Sequence, residues 1–181
     1  MKFAGKIDYA KHLAACLSYL LASQQDLAGL VAIDDSIQFE LPPGSSPSHL
    51  DRLFKQLESM EVGKNTTLVK NLHALAERLP RRSLVILISD LWVEPEELTK
   101  ALQHLRYRKH QGMMLHLLDR NEIELPYDRQ ITLKDLETDE ELQIDPADLR
   151  ETYKQQVETY LAAIRRVCAD SDVEYHGMFV D

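Results

Sequence analysis

The chain has 181 residues, a formal net charge of −9 and a hydrophobic share of 44%, which suits one domain with a substantial core. So acidic a balance excludes a general binder of nucleic acid or of an anionic membrane surface, since both need basic faces. Only Cys16 and Cys168 occur, each on an expected helix face and without a CxxC spacing, so buried free thiols in a reducing compartment are expected rather than a disulfide frame or a zinc site. No run reaches the roughly 18 apolar residues of a membrane span and the start has no signal-peptide pattern, so the expected location is cytoplasmic.

In chain order, Tyr9, Leu13, Leu17, Leu20 and Leu21 recur at helical spacing behind Asp8, a plausible N-cap, and predict a helix over 8–24. LAGLVAI, from Leu27 to Ile33, reads as a buried strand; Ile37 to Leu41 alternates and reads as a shorter strand antiparallel to it. The turn-rich PPGSSPS run from Pro42 to Ser48 leads into a helix with Leu50, Leu53, Phe54 and Leu57 inside, and Ser48 with Asp51 resembles a capping box. Leu68, Leu72, Leu75 and Leu79 mark the next helix.

The stretch that organises the chain follows. Leu84-Val85-Ile86-Leu87-Ile88 has no polar alternation, so it reads as a strand buried on both faces, central and parallel. Pro95 opens a helix with Leu98, Leu102 and Leu105 as its stripe, and Gly112 stops it. Met113 to Leu118 is another buried strand; 131–133 and 142–144 flank a turn-like Glu137-Thr138-Asp139-Glu140 and predict a hairpin. Pro146 opens a last long helix with Tyr153, Val157, Tyr160, Leu161, Ile164 and Val167 inward, and Val173 to Val180 is the final strand.

Strands alternating with helices predict an α/β fold, a three-layer αβα arrangement around a mostly parallel sheet, with the hairpin as an insertion at 119–146. Between Asp119 and Glu151 stand twelve Asp and Glu against four Lys and Arg, a balance of −8 that carries nearly all the net charge. That segment reads as a solvated insertion, or as a docking face for a basic partner.

Ligands of open α/β sheets gather at the carboxyl ends of the strands, which makes Asp90 the leading site residue. With Thr66 it supplies a carboxylate and a hydroxyl suited to a hard cation such as Mg²⁺; the alternative is that each caps a turn or its own helix. None of the histidines forms HExxH. His116 reads as a core histidine, while His104 and His110 join Arg106, Arg108 and Lys109 at a solvated helix end. Gly63-Lys64-Asn65-Thr66-Thr67 lacks the upstream glycine and preceding strand of a phosphate loop, and GxSxG and GxGxxG are absent.

The succession of Asp8-Tyr9-Ala10-Lys11-His12-Leu13, Gly29-Leu30-Val31, Pro42-Pro43, Asn65-Thr66-Thr67-Leu68, Leu87-Ile88-Ser89-Asp90, Leu133-Lys134-Asp135-Leu136-Glu137-Thr138 and Leu149-Arg150-Glu151-Thr152-Tyr153 resembles the von Willebrand factor A-like proteins of the domain-of-unknown-function family fifty-eight, over essentially the whole of 1–181. The resemblance implies a non-enzymatic protein-interaction domain that partners a MoxR-type AAA+ ATPase in chaperone-like maturation or assembly of other proteins. It also implies a metal-ion-dependent adhesion site (MIDAS): Asp-x-Ser-x-Ser, then a Thr matched by Thr66 and an Asp matched by Asp90.

The Asp-x-Ser-x-Ser element is absent, so the chain is expected to begin just after the first strand and its metal loop. Thr66 and Asp90 are then remnants, with no cofactor expected here and Mg²⁺ in a complete homologue. The missing strand lies between LAGLVAI and LVILISD in the resembled fold. Unless these pair directly, exposed edges remain that recruit another chain, and a homo-oligomer or a rearranged sheet is expected. The rival reading is a Mg²⁺-dependent hydrolase or phosphatase-like enzyme using Asp90 and Asp119. It needs further carboxylates or a lysine at the site, and the loops near Asp90 offer Glu94 and nothing basic.

Overall fold

The computed structural model of the protein describes residues 5–60, 67–80, 82–126, 131–134, 141–144 and 146–180. Three strands, β3 (Leu84–Ser89), β4 (Gln111–Leu118) and β7 (Val173–Phe179), form a parallel sheet in the order β3-β4-β7. The links are α4 (Pro95–Tyr107) between β3 and β4, and α6 (Pro146–Asp170) ahead of β7. Pro95 sits in the first turn of α4, where its fixed φ and missing N–H carry no penalty, and Glu96 and Glu97 follow at the positive end of the helix dipole. Gly112 lies opposite Val173 in the β4–β7 ladder, and a Cβ there would stand 2.8 Å from a Val173 methyl. The strand pair therefore closes only around a glycine.

The main core lies beneath this sheet. Leu72 of α3 (Leu68–Arg78), Leu98 and Ala101 of α4, Met114 of β4, and Ile164 and Cys168 of α6 are each 0% exposed. Burial raises the Cys168 thiol to about 11, so it remains a protonated, inert apolar group.

The N-terminal part is built separately. α1 (Lys6–Ser23) leads to β1 (Ala28–Ile33), which pairs antiparallel with β2 (Ile37–Gly44), Leu30 opposite Leu41 and Ala32 opposite Phe39. Gly29 lets β2 approach: a Cβ there would lie 2.9 Å from the Leu41 carbonyl oxygen. Leu41 joins Leu53 and Leu57 of α2 (Pro47–Ser59) in a smaller core. His49 of α2 is buried and bonds the Ala28 carbonyl oxygen at 2.7 Å. A third pair, β5 (Ile131–Lys134) with β6 (Glu141–Ile144), is the expected hairpin; its turn at Glu137–Glu140 lies outside the described residues, as does Thr66.

Several expectations are corrected. LVILIS, expected to be a central strand, is an edge strand among the described residues: β1–β2 and β3-β4-β7 are separate sheets, and LAGLVAI and LVILIS, whose direct pairing the sequence left open, do not pair. β3 is accordingly half-buried rather than buried, with Leu84 50% exposed. An apolar run reports what a strand's faces can tolerate and not who stands beside it. The N-cap of α2 is Ser46, whose side chain accepts the His49 N–H, with Pro47 following, so Ser48 is inside the helix. α1 starts at Lys6 behind Gly5, ahead of Asp8. Cys16 is exposed, so only Cys168 is a buried thiol. His110 is buried against the Ala76 carbonyl oxygen at 3.3 Å rather than solvated, and His104 bonds Glu77 at 2.8 Å and His73 at 2.9 Å. The described fold is thus a mixed helix-and-sheet structure with a three-stranded parallel sheet, compatible with the α/β class.

Candidate functional site

Asp90 follows the last residue of β3, and the backbone there is held at each successive residue. His116, 2% exposed on β4, donates from Nε2 to the Asp90 carbonyl oxygen at 3.0 Å. Its Nδ1 accepts from the Tyr175 hydroxyl at 2.9 Å. That arrangement requires the neutral ring, and burial does push the His116 pKa below its ordinary 6.5, the Asp90 carbonyl and charge opposing more weakly. Next, the Leu91 N–H bonds the Ser89 hydroxyl at 3.1 Å, and the Leu91 side chain is 0% exposed. The Tyr160 hydroxyl of α6 lies against the carbonyl oxygens of Leu91 and of Val93, the latter at 2.9 Å, and receives the Val93 N–H at 3.3 Å. Burial raises the Tyr160 phenol, which keeps its proton for these bonds.

Leu91 has φ 53°, the left-handed region that costs a non-glycine residue roughly 1–2 kcal/mol. Burial and three neighbouring side chains hold it there. The consequence is a stiff loop that turns the Asp90 side chain and the Trp92 indole outward; Asp90 is exposed and Trp92 is 72% exposed.

Two concavities meet at Trp92. One is a broad groove of about 970 Å³ between α3 and α4, with Val69, Lys70, Glu94, Glu97 and Lys100 among its walls. Leu68, Lys70 and His73 of α3 face it together with Glu97 and Lys100 of α4. The other, of about 220 Å³, lies at the carboxyl ends of β3 and β4 and is lined by Asp90, His116, Lys6, Glu122 and Tyr153, with apolar side chains of α6 beneath. Lys6 and Glu122 form an ion pair at its rim, and Tyr153 donates to the Glu122 carbonyl oxygen at 2.5 Å. Asp119 does not line this cleft; its carboxylate caps α5 (Arg120–Glu124) by accepting the Asn121 N–H at 2.8 Å.

Asp90 lies at the carboxyl end of β3, where the sequence places it, and it is not the N-cap of α4, which is Glu94. Thr66 lies outside the described residues, but its neighbour Thr67 is at this end of the sheet, its hydroxyl donating to the Asp35 carbonyl oxygen at 2.6 Å. Asn71 bonds the Thr67 hydroxyl at 3.1 Å, tying the loop after β1 to the start of α3. Among the described residues no three or more of His, Cys, Asp and Glu converge as a metal site. Sequence reasoning treated Tyr160 as core and passed over Trp92. The signal available was a lone tryptophan three residues beyond a strand's carboxyl end.

A family described as "Protein of unknown function DUF58" has a model that matches residues 2–162. No curated protein matches. The chain is similar to the solved structure of conserved hypothetical protein BatB from Bacteroides thetaiotaomicron, 16% identical with a TM-score of 0.55 over 97% of this chain and 80% of that one. It is also similar to an aerotolerance-related membrane protein from Bacteroides fragilis carrying multiple mutations to serines, 14% identical with a TM-score of 0.54 over 95% and 80%. At such identities the likeness concerns the fold alone.

Proposed function

The chain belongs to the family of Protein of unknown function DUF58, and from that premise we propose that it is a non-enzymatic protein-interaction domain, von Willebrand factor A-like and three-layered, that works in the cytoplasm with a MoxR-type AAA+ ATPase in the maturation or assembly of other proteins. The observation that carries this reading is the stiff loop after β3, which presents an exposed carboxylate and a 72% exposed tryptophan beside a groove. A tryptophan on a backbone already fixed leaves only its side chain to be ordered on binding, and Trp is among the residues that dominate interface energies. The groove carries both signs of charge, Lys70 and Lys100 with Glu94 and Glu97, which gives it a means of choosing its partner's orientation. Thr66 and Asp90 are, on this reading, two residues of a metal-dependent adhesion site.

The test is the affinity of the full chain for a purified MoxR-type ATPase, by surface plasmon resonance, against Trp92→Ala. Loss of a central tryptophan costs about 2 kcal/mol or more, a weakening of roughly thirtyfold. Binding that is absent, or unchanged by Trp92→Ala and by Asp90→Ala, overturns the proposal.

A further inference from the structure

Trp92 is the only tryptophan of the chain, and it stands on the wall of both concavities, the groove along α3 and α4 and the cleft at the ends of β3 and β4. Its backbone is held on either side. Leu91 before it is sealed in the core, and the Tyr160 hydroxyl bonds the main chain of Leu91 and of Val93. An indole that is 72% exposed on so fixed a backbone offers a π surface, negative on its face, that attracts a cation laid over it.

The charges that flank the ring in sequence have one sign. Asp90 and Glu94 stand two residues to either side of Trp92, and Glu97, in the first turn of α4, shares the groove wall with it. All three carboxylates are exposed, and among the described residues none of them is in an ion pair. Glu94 is the N-cap residue of α4, yet its side chain makes no capping bond, so the helix does not use that carboxylate. Lys6, the cation that reaches the cleft beside Asp90, is paired with Glu122. The cations of the groove are Lys100, one turn past Glu97, and Lys70 across on α3, and neither is paired with Glu94 or Glu97. The acidic field around the indole is therefore not neutralised from within the described residues.

We propose that this surface takes an arginine of the partner protein, its guanidinium stacked on the Trp92 indole and its N–H groups directed to the carboxylates around the ring. The site rests on the reading of Trp92 as a contact residue and adds the chemistry of what it contacts. A guanidinium is planar and weakly hydrated, with its donors on its edge, so it stacks on a ring and bonds carboxylates at the same time. The lysine ammonium is a compact, strongly hydrated charge that lacks this fork. An aliphatic side chain covers the ring but takes water from the carboxylates without replacing it. An acidic side chain is repelled. A basic partner face is also drawn to a chain of net charge −9 before contact.

Because Trp92 is the sole tryptophan, its fluorescence reads this site in the full chain with no partner present. The probe is the capped tripeptide acetyl-Ala-Arg-Ala-amide, titrated at constant ionic strength, with the lysine and citrulline peptides as controls. The arginine peptide is expected to change Trp92 emission saturably, the lysine peptide to bind about threefold or more weakly, and the citrulline peptide not to bind. Asp90→Asn with Glu94→Gln, both exposed and nearly isosteric changes, is expected to weaken the arginine peptide by about threefold to tenfold. No saturable response to arginine overturns the proposal. So does an equal response to lysine, or a response that survives the double substitution. An arginine response without binding of the ATPase supports this site and overturns the partner named above. ATPase binding that needs Trp92 but comes with no arginine response overturns this site alone.

Discussion

The two sides of β3 present the same kind of side chain to different surroundings. Toward β4 and β7 the core is complete: Met114 to Leu118 are all buried, and Met114, Ile164 and Leu98 are 0% exposed. Toward α1 and β1 the residues are equally apolar, but Ser18 is the only residue of α1 to be buried. Apolar composition is thus common to both halves, while burial is not. Hydrophobic stabilisation scales with area removed from water, so the first half holds most of the stability and the second is where the chain can still gain some.

Substitutions should break the molecule along this line. Met114→Ala, in the filled half, is expected to lose about 2–5 kcal/mol in urea denaturation, as deep large-to-small changes do; a loss under 1 kcal/mol would mean the core is loose there too. Gly112→Ala forces a Cβ toward Val173 and is expected to cost about 1–3 kcal/mol. Leu17→Ala, on the half-buried stripe, should cost about 1 kcal/mol, since it forfeits only part of its transfer energy. A cost equal to that of Met114→Ala erases the distinction between the two sides.

Acid gives a smaller effect that sharpens the same contrast. His116 is neutral and buried on the filled side, and its pKa is lowered from 6.5. The unfolded chain therefore takes a proton below about pH 6.5 that the folded chain resists, and stability falls as the pH drops through that value, levelling only below the folded pKa. Urea midpoints at pH 7.5 and 5.5 should differ in that direction, and the slope should shrink in His116→Gln. Last, Trp92→Ala removes an indole that is mostly in water and is expected to move stability by no more than about 0.5 kcal/mol. A larger drop would make Trp92 structural and undercut its use as a contact residue.

Much of this was legible in the sequence. LVILIS announces a strand, the i, i+3, i+4 spacing of Leu98, Ala101, Leu102 and Leu105 announces a core-facing helix, and the strand end points to Asp90. What could not be read is which strands are neighbours. Val85 to Ile88 look central because both faces are apolar, a property of the residues; that β3 bonds β4 and not β1 is a property of chain sections far apart in number. The site divides in the same way. Asp90 is legible from local position, whereas the grip on it comes from Tyr160, a residue 69 positions from Leu91, and from His116, 26 positions from Asp90. A hydroxyl on an apolar helix face gives no sign of which carbonyl it will meet.

Leu91 joins the filled core to the exposed loop. Its backbone conformation favours glycine while its place in the core favours leucine, and no residue satisfies both: Leu91→Gly would relieve about 1–2 kcal/mol of backbone cost but give up about 2–3 kcal/mol of burial. The loop is therefore shaped by the core's demand for a side chain. Such a dependence runs in both directions. Whatever grips Trp92 in one loop geometry must favour the seating of Leu91 by the same free energy with which that seating favours the grip, so a bound partner would be registered in the packing around Leu91, beyond its own contact surface.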